Sequence, residues 1–137
     1  DEWSPEIVAN WVGKLIQESG VNVLSLSDTI GTSNSDSIKW LFEYVIPNFP
    51  EVEIGAHLHT TPDTWKEKIA AAIQSGCRRF DGAIKGFGGC PMATDDLTGN
   101  MATENIISYL NENNMDHGLN EKAFNDALMM SLEIFPN

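Results

Sequence analysis

Hydrophobic and polar positions alternate between a helical and a strand period along the chain. Over residues 4–19 apolar side chains recur at helical spacing, with Ser4 as a cap, Pro5 at the first helical position and Gly20 as a stop. Short apolar runs predict strands over residues 21–27, 52–59 and 79–84. Further helices are predicted from Asp36 to about Pro47, over residues 63–75, from Thr103 through Leu110, and after Asn120.

The predicted order is therefore αβαβαβαα. Strands that alternate with helices of this length favour crossover connections and a parallel sheet. In such folds ligands bind at the carboxyl ends of the strands. The pattern thus predicts an α/β fold with its functional residues in the loops that follow the strands.

Composition narrows the range of functions. The 137 residues are enough for one domain, and 42% of them are hydrophobic, which is typical of a globular chain. The 20 acidic and 8 basic residues give a net charge of −12, which argues against nucleic acid or an anionic membrane as a partner. No apolar run is long enough to predict a membrane span.

Two cysteines, Cys77 and Cys90, are too few for a disulfide framework and favour a reducing compartment. Cys77 follows the helix stop Gly76 and is predicted to pack as a small apolar residue. The first residue is Asp1 instead of Met, so we expect the chain to be a piece of a longer protein.

Two histidines lie at the end of the second predicted strand, in the segment His57-Leu58-His59. Residues i and i+2 of a strand share a face about 6.6 Å apart, so the two imidazoles are able to converge on one divalent cation. The alternative is a pair of histidines that bind no metal. The third histidine, His117, falls in a polar stretch and is predicted to be a solvated loop residue.

Other polar residues follow the strands, and each has two interpretations. Asp28 is either a functional residue, acting as a partner of a metal ligand, a substrate contact or a proton carrier, or a turn residue before Gly31. Gly86, Gly88, Gly89 and Cys90 form either a mobile substrate lid with a reactive thiol or a plain connection. Asn100 either offers a carbonyl oxygen to a metal or shapes a turn. Trp11 and Trp40 are predicted to lie in the core.

Five segments of the chain resemble those of a known family: Leu24–Gly31, Ala56–His59, Phe80–Ile84, Gly86–Ala93 and Gly99–Glu104. In this order they resemble the carboxyl-terminal half of the 3-hydroxy-3-methylglutaryl-CoA (HMG-CoA) lyase family of metal-dependent TIM barrels. The resemblance covers most of the chain. The glycine-rich Cys-Pro loop is its most specific part, because related condensing synthases carry other residues there. Within that loop, Phe87 and Met92 depart from the family's usual Leu and Tyr, which affects the expected loop closure and substrate choice.

The resemblance implies a role for each matching residue. His57, His59 and Asn100 would bind Mg²⁺ or Mn²⁺, His57 and Asp28 would assist proton transfer, and Cys90 would lie on the loop that closes over an acyl-CoA substrate. The implied reaction is a retro-Claisen cleavage to acetyl-CoA and acetoacetate. Related activities, those of an aldolase or an acyl-CoA condensing synthase, and a noncatalytic α/β module are the alternatives. The resemblance also implies a cytoplasmic location in a bacterium or a mitochondrial one in a eukaryote.

A TIM barrel needs eight strands and roughly 250 residues. Residues 1–137 would supply the last three parallel strands of such a partial barrel and lack the family's amino-terminal arginine and aspartate. Open strand edges invite pairing. We therefore expect the chain by itself to have little or no lyase activity, and to associate with the missing amino-terminal half or with itself.

Overall fold

A computed structural model of the chain describes residues 2–89, 93 and 98–135. The described residues form five α-helices: α1 (Pro5–Ser19), α2 (Ser35–Asn48), α3 (Trp65–Gln74), α4 (Thr103–Glu112) and α5 (Glu121–Ile134). The strands are β1 (Val23–Ser27), β2 (Glu53–His57), β3 (His59–Thr60), β4 (Arg79–Asp81) and β5 (Gly99–Asn100), with a 3₁₀ turn at Ile84–Gly86. The predicted alternation of helices and strands is confirmed.

Capping residues place the helix ends much as the sequence predicted. The Ser4 hydroxyl accepts the N–H of Ile7 at the start of α1, and Gly20 ends that helix in the left-handed conformation. The prediction for α2 was wrong in one detail: its cap is Asn34 instead of Asp36 or a neighbouring serine. Thr103 likewise is the first residue of α4 and makes no capping hydrogen bond.

The central sheet is parallel, with the strand order β1-β2-β4. Leu24 pairs with Ile54, and Ala56 pairs with Phe80. These apolar side chains face α2 and α3 and form the core with Phe42, Val45 and Ile69. The opposite face carries polar residues such as Ser25 and His57. Successive side chains of each strand therefore alternate between the core and the face that carries the polar residues.

The second predicted strand is interrupted. The prediction of one strand over residues 52–59 was wrong, because the parallel pairing ends at His57 and residues His59–Thr60 pair antiparallel with β5. Leu58 lies between the two short strands, and its side chain is buried in the core. The third strand is also shorter than predicted and ends at Asp81.

Two tryptophans predicted for the core are at the surface. Trp11 is 60% exposed and Trp40 is 53% exposed. On α1 the residue Val12 is buried, while Ile7, Trp11 and Leu15 form an exposed apolar stripe one position away. The apolar face of α1 is wider than the surface that α2 covers, so Trp11 stays exposed to solvent.

The three parallel strands of the described residues do not close into a barrel. Both outer strands, β1 and β4, have one neighbour each in the sheet. In the part of the chain that the structure describes, no helix combines the length and hydropathy that a membrane crossing demands.

Candidate metal centre

His57 and His59 come together as the spacing predicted. Their ring centroids are 5.4 Å apart, and the ring planes are inclined by 67°. His57 is at the end of β2 with a side chain that is 42% exposed, whereas the His59 side chain is 7% exposed. The two imidazoles therefore form one pair at the carboxyl end of the sheet, open to solvent on the His57 side.

Each imidazole has a carboxylate beside its Nδ1 atom. His57 Nδ1 lies 3.7 Å from Asp81 Oδ2, and His59 Nδ1 lies 3.3 Å from Asp28 Oδ1. Carboxylates in this position are typical of metal-binding histidines, because they fix the ring orientation and leave Nε2 for the cation. The Nε2 atoms of both rings are thus the expected ligand atoms.

Asp81 is held in place by the polar face of the sheet. The Ser25 hydroxyl donates to Asp81 Oδ2 at 2.6 Å, and Arg79 Nη2 lies 3.5 Å from Asp81 Oδ1. The register explains this grouping, since Ser25 pairs with Gly55 and His57 pairs with Asp81 on adjacent strands. Asp81 was absent from the predicted site, although its period-two position in β4 was a usable signal.

Asn100 on β5 pairs with His59 on β3 in an antiparallel ladder, and the side chains of such a pair lie on the same face. Its amide nitrogen donates to the carbonyl oxygen of Phe87 at 2.8 Å. That hydrogen bond occupies Nδ2, which leaves the Oδ1 atom as the one suited to a cation. Asn100 is therefore brought to the histidine pair by tertiary structure.

The glycine-rich segment packs against this asparagine. Gly86 and Gly88 have left-handed φ values of 65° and 81°, and Gly89 has a φ of 150°. A Cβ atom at Gly86 would lie 2.7 Å from the Asn100 carbonyl oxygen, and one at Gly88 would lie 2.9 Å from Asn100 Nδ2. Glycine is required here by close approach as well as by φ. Cys90 lies outside the described residues.

Asp28 is buried, and both of its oxygens accept hydrogen bonds. Oδ1 accepts the backbone N–H of His59 at 2.7 Å, and Oδ2 accepts Lys68 Nζ at 2.8 Å and the Ser33 hydroxyl. The Asp28 side chain is 8% exposed. These contacts hold His59 in place, and the role of Asp28 in proton transfer stays a prediction.

Lys68 is a second residue of this site that sequence reasoning missed. Its side chain is 1% exposed although it belongs to an amphipathic helix. It occupies the inward stripe of α3 together with Trp65, Ile69 and Ala72, at spacings of three and four residues. A lysine at a position that faces the core was the sequence signal that could have identified it.

Two further sequence predictions concern residues away from this cluster. Cys77 is fully buried, and burial raises its pKa to about 11, which agrees with an inert structural thiol. The prediction that His117 is solvated was wrong, because its side chain is 11% exposed. It accepts the N–H of Leu119 at Nδ1, and its Nε2 atom lies 3.2 Å from Asn111 Oδ1.

A cavity of about 340 Å³ lies between α1, α2 and the end of β1. It is lined mainly by apolar side chains such as Leu26, Leu41 and Phe42, with Asp28 and Ser33 at its border. It is on the helical side of the sheet, whereas His57 is on the other face. The cavity and the histidine pair are therefore separate features.

The donor set fits a divalent cation in part. Within residues 2–89, 93 and 98–135, no three His, Cys, Asp or Glu side chains are grouped as a metal site. Two imidazoles and one amide oxygen are compatible with Mg²⁺ or Mn²⁺, which prefer oxygen ligands for their remaining positions. The described residues supply half of a coordination shell, and further oxygen ligands would have to complete it.

Comparison with known proteins shows the family of the chain. The profile of the HMGL-like family matches residues 2–130. The hydroxymethylglutaryl-CoA lyase YngG of Bacillus subtilis is 39% identical over 95 residues, which are 69% of this chain and 31% of that lyase. The crystal structure of the HMG-CoA lyase from Brucella melitensis superposes with a TM-score of 0.85 at 27% identity, over 98% of this chain and 47% of that one.

A third relative was solved with ligands. The structure of an HMG-CoA lyase from Acinetobacter baumannii in complex with coenzyme A and 3-methylmalate has a TM-score of 0.76 at 29% identity and covers 94% of this chain and 40% of that one. The chain thus spans about a third of the curated relatives it matches and less than half of these solved structures. Its α/β fold is that of a partial TIM barrel, and the chain belongs to the HMGL-like family.

Proposed function

We propose that this chain is the metal-binding part of a hydroxymethylglutaryl-CoA lyase or of a lyase that cleaves a closely related 3-hydroxy-acyl-CoA. The observation that carries the proposal is the meeting of His57, His59 and Asn100 at one sheet edge, with a carboxylate beside Nδ1 of each imidazole. The matching relatives are named as lyases of this kind.

The proposed reaction is a retro-Claisen cleavage. A base takes the proton from the tertiary hydroxyl of the substrate, the oxygen's electrons form a ketone, and the adjacent C–C bond breaks. The electron pair of that bond passes to the thioester enolate, which takes up a proton to become acetyl-CoA, and acetoacetate is the second product. A divalent cation held by His57, His59 and Asn100 would polarise the hydroxyl and carboxylate oxygens of the substrate.

The chain's own residues bind and orient in this scheme. Asp28 and Asp81 set the directions of the two imidazoles. The Phe87 carbonyl oxygen accepts from Asn100 Nδ2, which leaves Oδ1 as the Asn100 atom that would bind the cation. His57 is the more exposed imidazole, so it is the better placed of the two for proton transfer with a substrate. Cys90, which follows Gly89, is proposed as the thiol of the loop that closes over the acyl-CoA.

The remaining ligands and the coenzyme A site are proposed to come from another part of the protein. The described chain has open edges at β1 and β4, and the α1 stripe of Ile7, Trp11 and Leu15 is exposed. An amino-terminal half of the barrel would cover these surfaces, and a second copy is the alternative. A cytoplasmic location is proposed for a bacterial source and a mitochondrial one for a eukaryotic source. Among the relatives, lyases of the mouse are named for both compartments.

Mn²⁺ binding to the native full-length protein tests the proposed metal site. His57→Ala and His59→Ala are expected to weaken Mn²⁺ binding at least tenfold, whereas His117→Ala, the matched control, leaves it unchanged. Equal and negligible binding by all four proteins would favour a noncatalytic module.

Product analysis tests the proposed reaction. The full-length protein is expected to release acetyl-CoA and acetoacetate from HMG-CoA. Net consumption of acetyl-CoA with an oxo-acid would identify a condensing synthase instead.

A further inference from the structure

Lys68 makes three hydrogen bonds with acceptors at the ends of two strands. Its Nζ atom lies 2.8 Å from Asp28 Oδ2, 3.0 Å from the Gly31 carbonyl oxygen and 2.7 Å from the His59 carbonyl oxygen. An ammonium group has three protons, so each has an acceptor. Because Lys68 starts from α3, it connects that helix to the segments after β1 and β2.

The ion pair of Asp28 and Lys68 holds the backbone of His59 on both sides. Its N–H donates to Asp28 Oδ1, and its carbonyl oxygen accepts from Lys68. Asp28 also faces the Nδ1 atom of the ring. One buried Asp–Lys pair therefore sets the peptide and the imidazole orientation of a single residue.

The burial of this pair makes its geometry specific. The Lys68 and Asp28 side chains are 1% and 8% exposed, so water does not compete freely for their hydrogen bonds. A buried lysine that loses its partner is left with an unpaired charge, which lowers the free energy of unfolding. Lys68 therefore resists displacement, and so does the residue that it holds.

We propose that Lys68 is a positioning residue of the metal centre: it locks Asp28 and the His59 peptide so that His59 Nε2 points at the cation. The expected effect of Lys68 on cation binding rests on the proposed metal-binding function. Its effect on the orientation of His59 does not require a metal. Lys68 touches neither cation nor substrate in this scheme and acts through His59.

The first test needs no metal. In the native full-length protein labelled with ¹⁵N-histidine, His59 is expected to show predominantly the tautomer with the proton on Nδ1, together with a slowly exchanging amide. Lys68→Met should mix the tautomers and speed His59 amide exchange at least tenfold. Lys66→Met, on the exposed side of the same helix, is the control and should change neither.

The second test measures Mn²⁺ affinity in the same proteins. Lys68→Met is expected to weaken Mn²⁺ binding 10- to 100-fold, as is usual for loss of a partner that orients a ligand. If Lys68→Met does not fold, the double variant Asp28→Asn/Lys68→Met removes both charges, and the same loss of His59 order is expected from it.

The outcomes separate the two proposals. A folded Lys68 variant with wild-type His59 tautomer, amide exchange and Mn²⁺ affinity would overturn the positioning role. A wild-type protein that binds no Mn²⁺ would overturn the metal-binding function, and the tautomer and exchange measurements would still decide whether Lys68 orders His59.

Discussion

The Asp28 carboxylate accepts the backbone N–H of His59 at 2.7 Å, across 31 residues of sequence. The bond joins the end of the first strand to the second histidine of the HxH motif. Oδ1 of Asp28 accepts from His59, and Oδ2 accepts from Lys68 and Ser33. Asp28 therefore helps to hold the candidate metal centre together, and its role in proton transfer stays a prediction.

Removal of the Asp28 carboxylate is expected to destabilise the fold. Asp28→Ala leaves the buried Lys68 ammonium without its counter-charge, and breaking a buried pair costs about 3–5 kcal/mol. Urea unfolding checks this. Asp126→Ala, whose carboxylate is 69% exposed beside Lys122, should change the free energy of unfolding by about 0.5 kcal/mol or less. Similar losses in both variants would contradict the importance of the Asp28–Lys68 pair.

A side chain at Gly88 is expected to disturb Asn100, the proposed metal ligand. The added Cβ of Gly88→Ala would lie 2.9 Å from Asn100 Nδ2, so the amide must move and Mn²⁺ affinity should fall about tenfold. Gly118→Ala is the matched control, since Gly118 also has a positive φ but nothing lies within 4 Å of its Cβ position. Both variants carry similar backbone strain, so only Gly88→Ala should change the titration with Mn²⁺.

The Cys77 thiol is expected to be unreactive in the folded protein. Its pKa is raised from 9.0 to about 11, chiefly by burial, so about one thiol in a thousand is ionised at pH 8. A raised pKa stabilises the fold below pH 9, and this contribution is lost as the pH rises towards 11. In a Cys90→Ser background, iodoacetamide should label Cys77 only after denaturation. Rapid labelling of the folded protein at pH 8 would contradict this environment.

The isolated 137-residue chain is expected to self-associate. Its sheet has open edges at β1 and β4, and Trp11 and Leu15 are exposed on α1. Light scattering at micromolar concentration should show more than the monomer mass, and Trp11→Gln/Leu15→Gln should reduce the association. Lys122→Gln, an exposed change on α5, serves as the control. A monomer at these concentrations would count against the prediction.

The same isolated chain is expected to have little or no lyase activity. It supplies two imidazoles and one amide to the proposed cation, and the other ligands are proposed to lie in the amino-terminal half. Release of acetoacetate from HMG-CoA, followed with Mg²⁺ or Mn²⁺ present, measures this. A rate typical of whole lyases would show that these residues suffice.

Local pattern predicted the elements that depend on neighbouring residues. The period of α1 and its caps at Ser4 and Gly20 were visible in the sequence, as was the shared side of His57 and His59. The exposure of Trp11 was not, because a wide apolar face does not say how much of it another element covers. The break at Leu58 was not visible either, since it depends on pairing with β5, some 40 residues later.

Sequence by itself determined the α/β order, because periodicity and caps are local properties. The resemblance of its motifs to a known family indicated the three residues proposed as metal ligands. Only the tertiary structure decided how those residues are held. Asp81 reaches His57 through strand register, Phe87 fixes Asn100 across a loop, and Lys68 joins Asp28 to His59 from a helix. Each of these contacts joins segments distant in the chain, and their partners are selected by packing and by the need to pair buried polar groups.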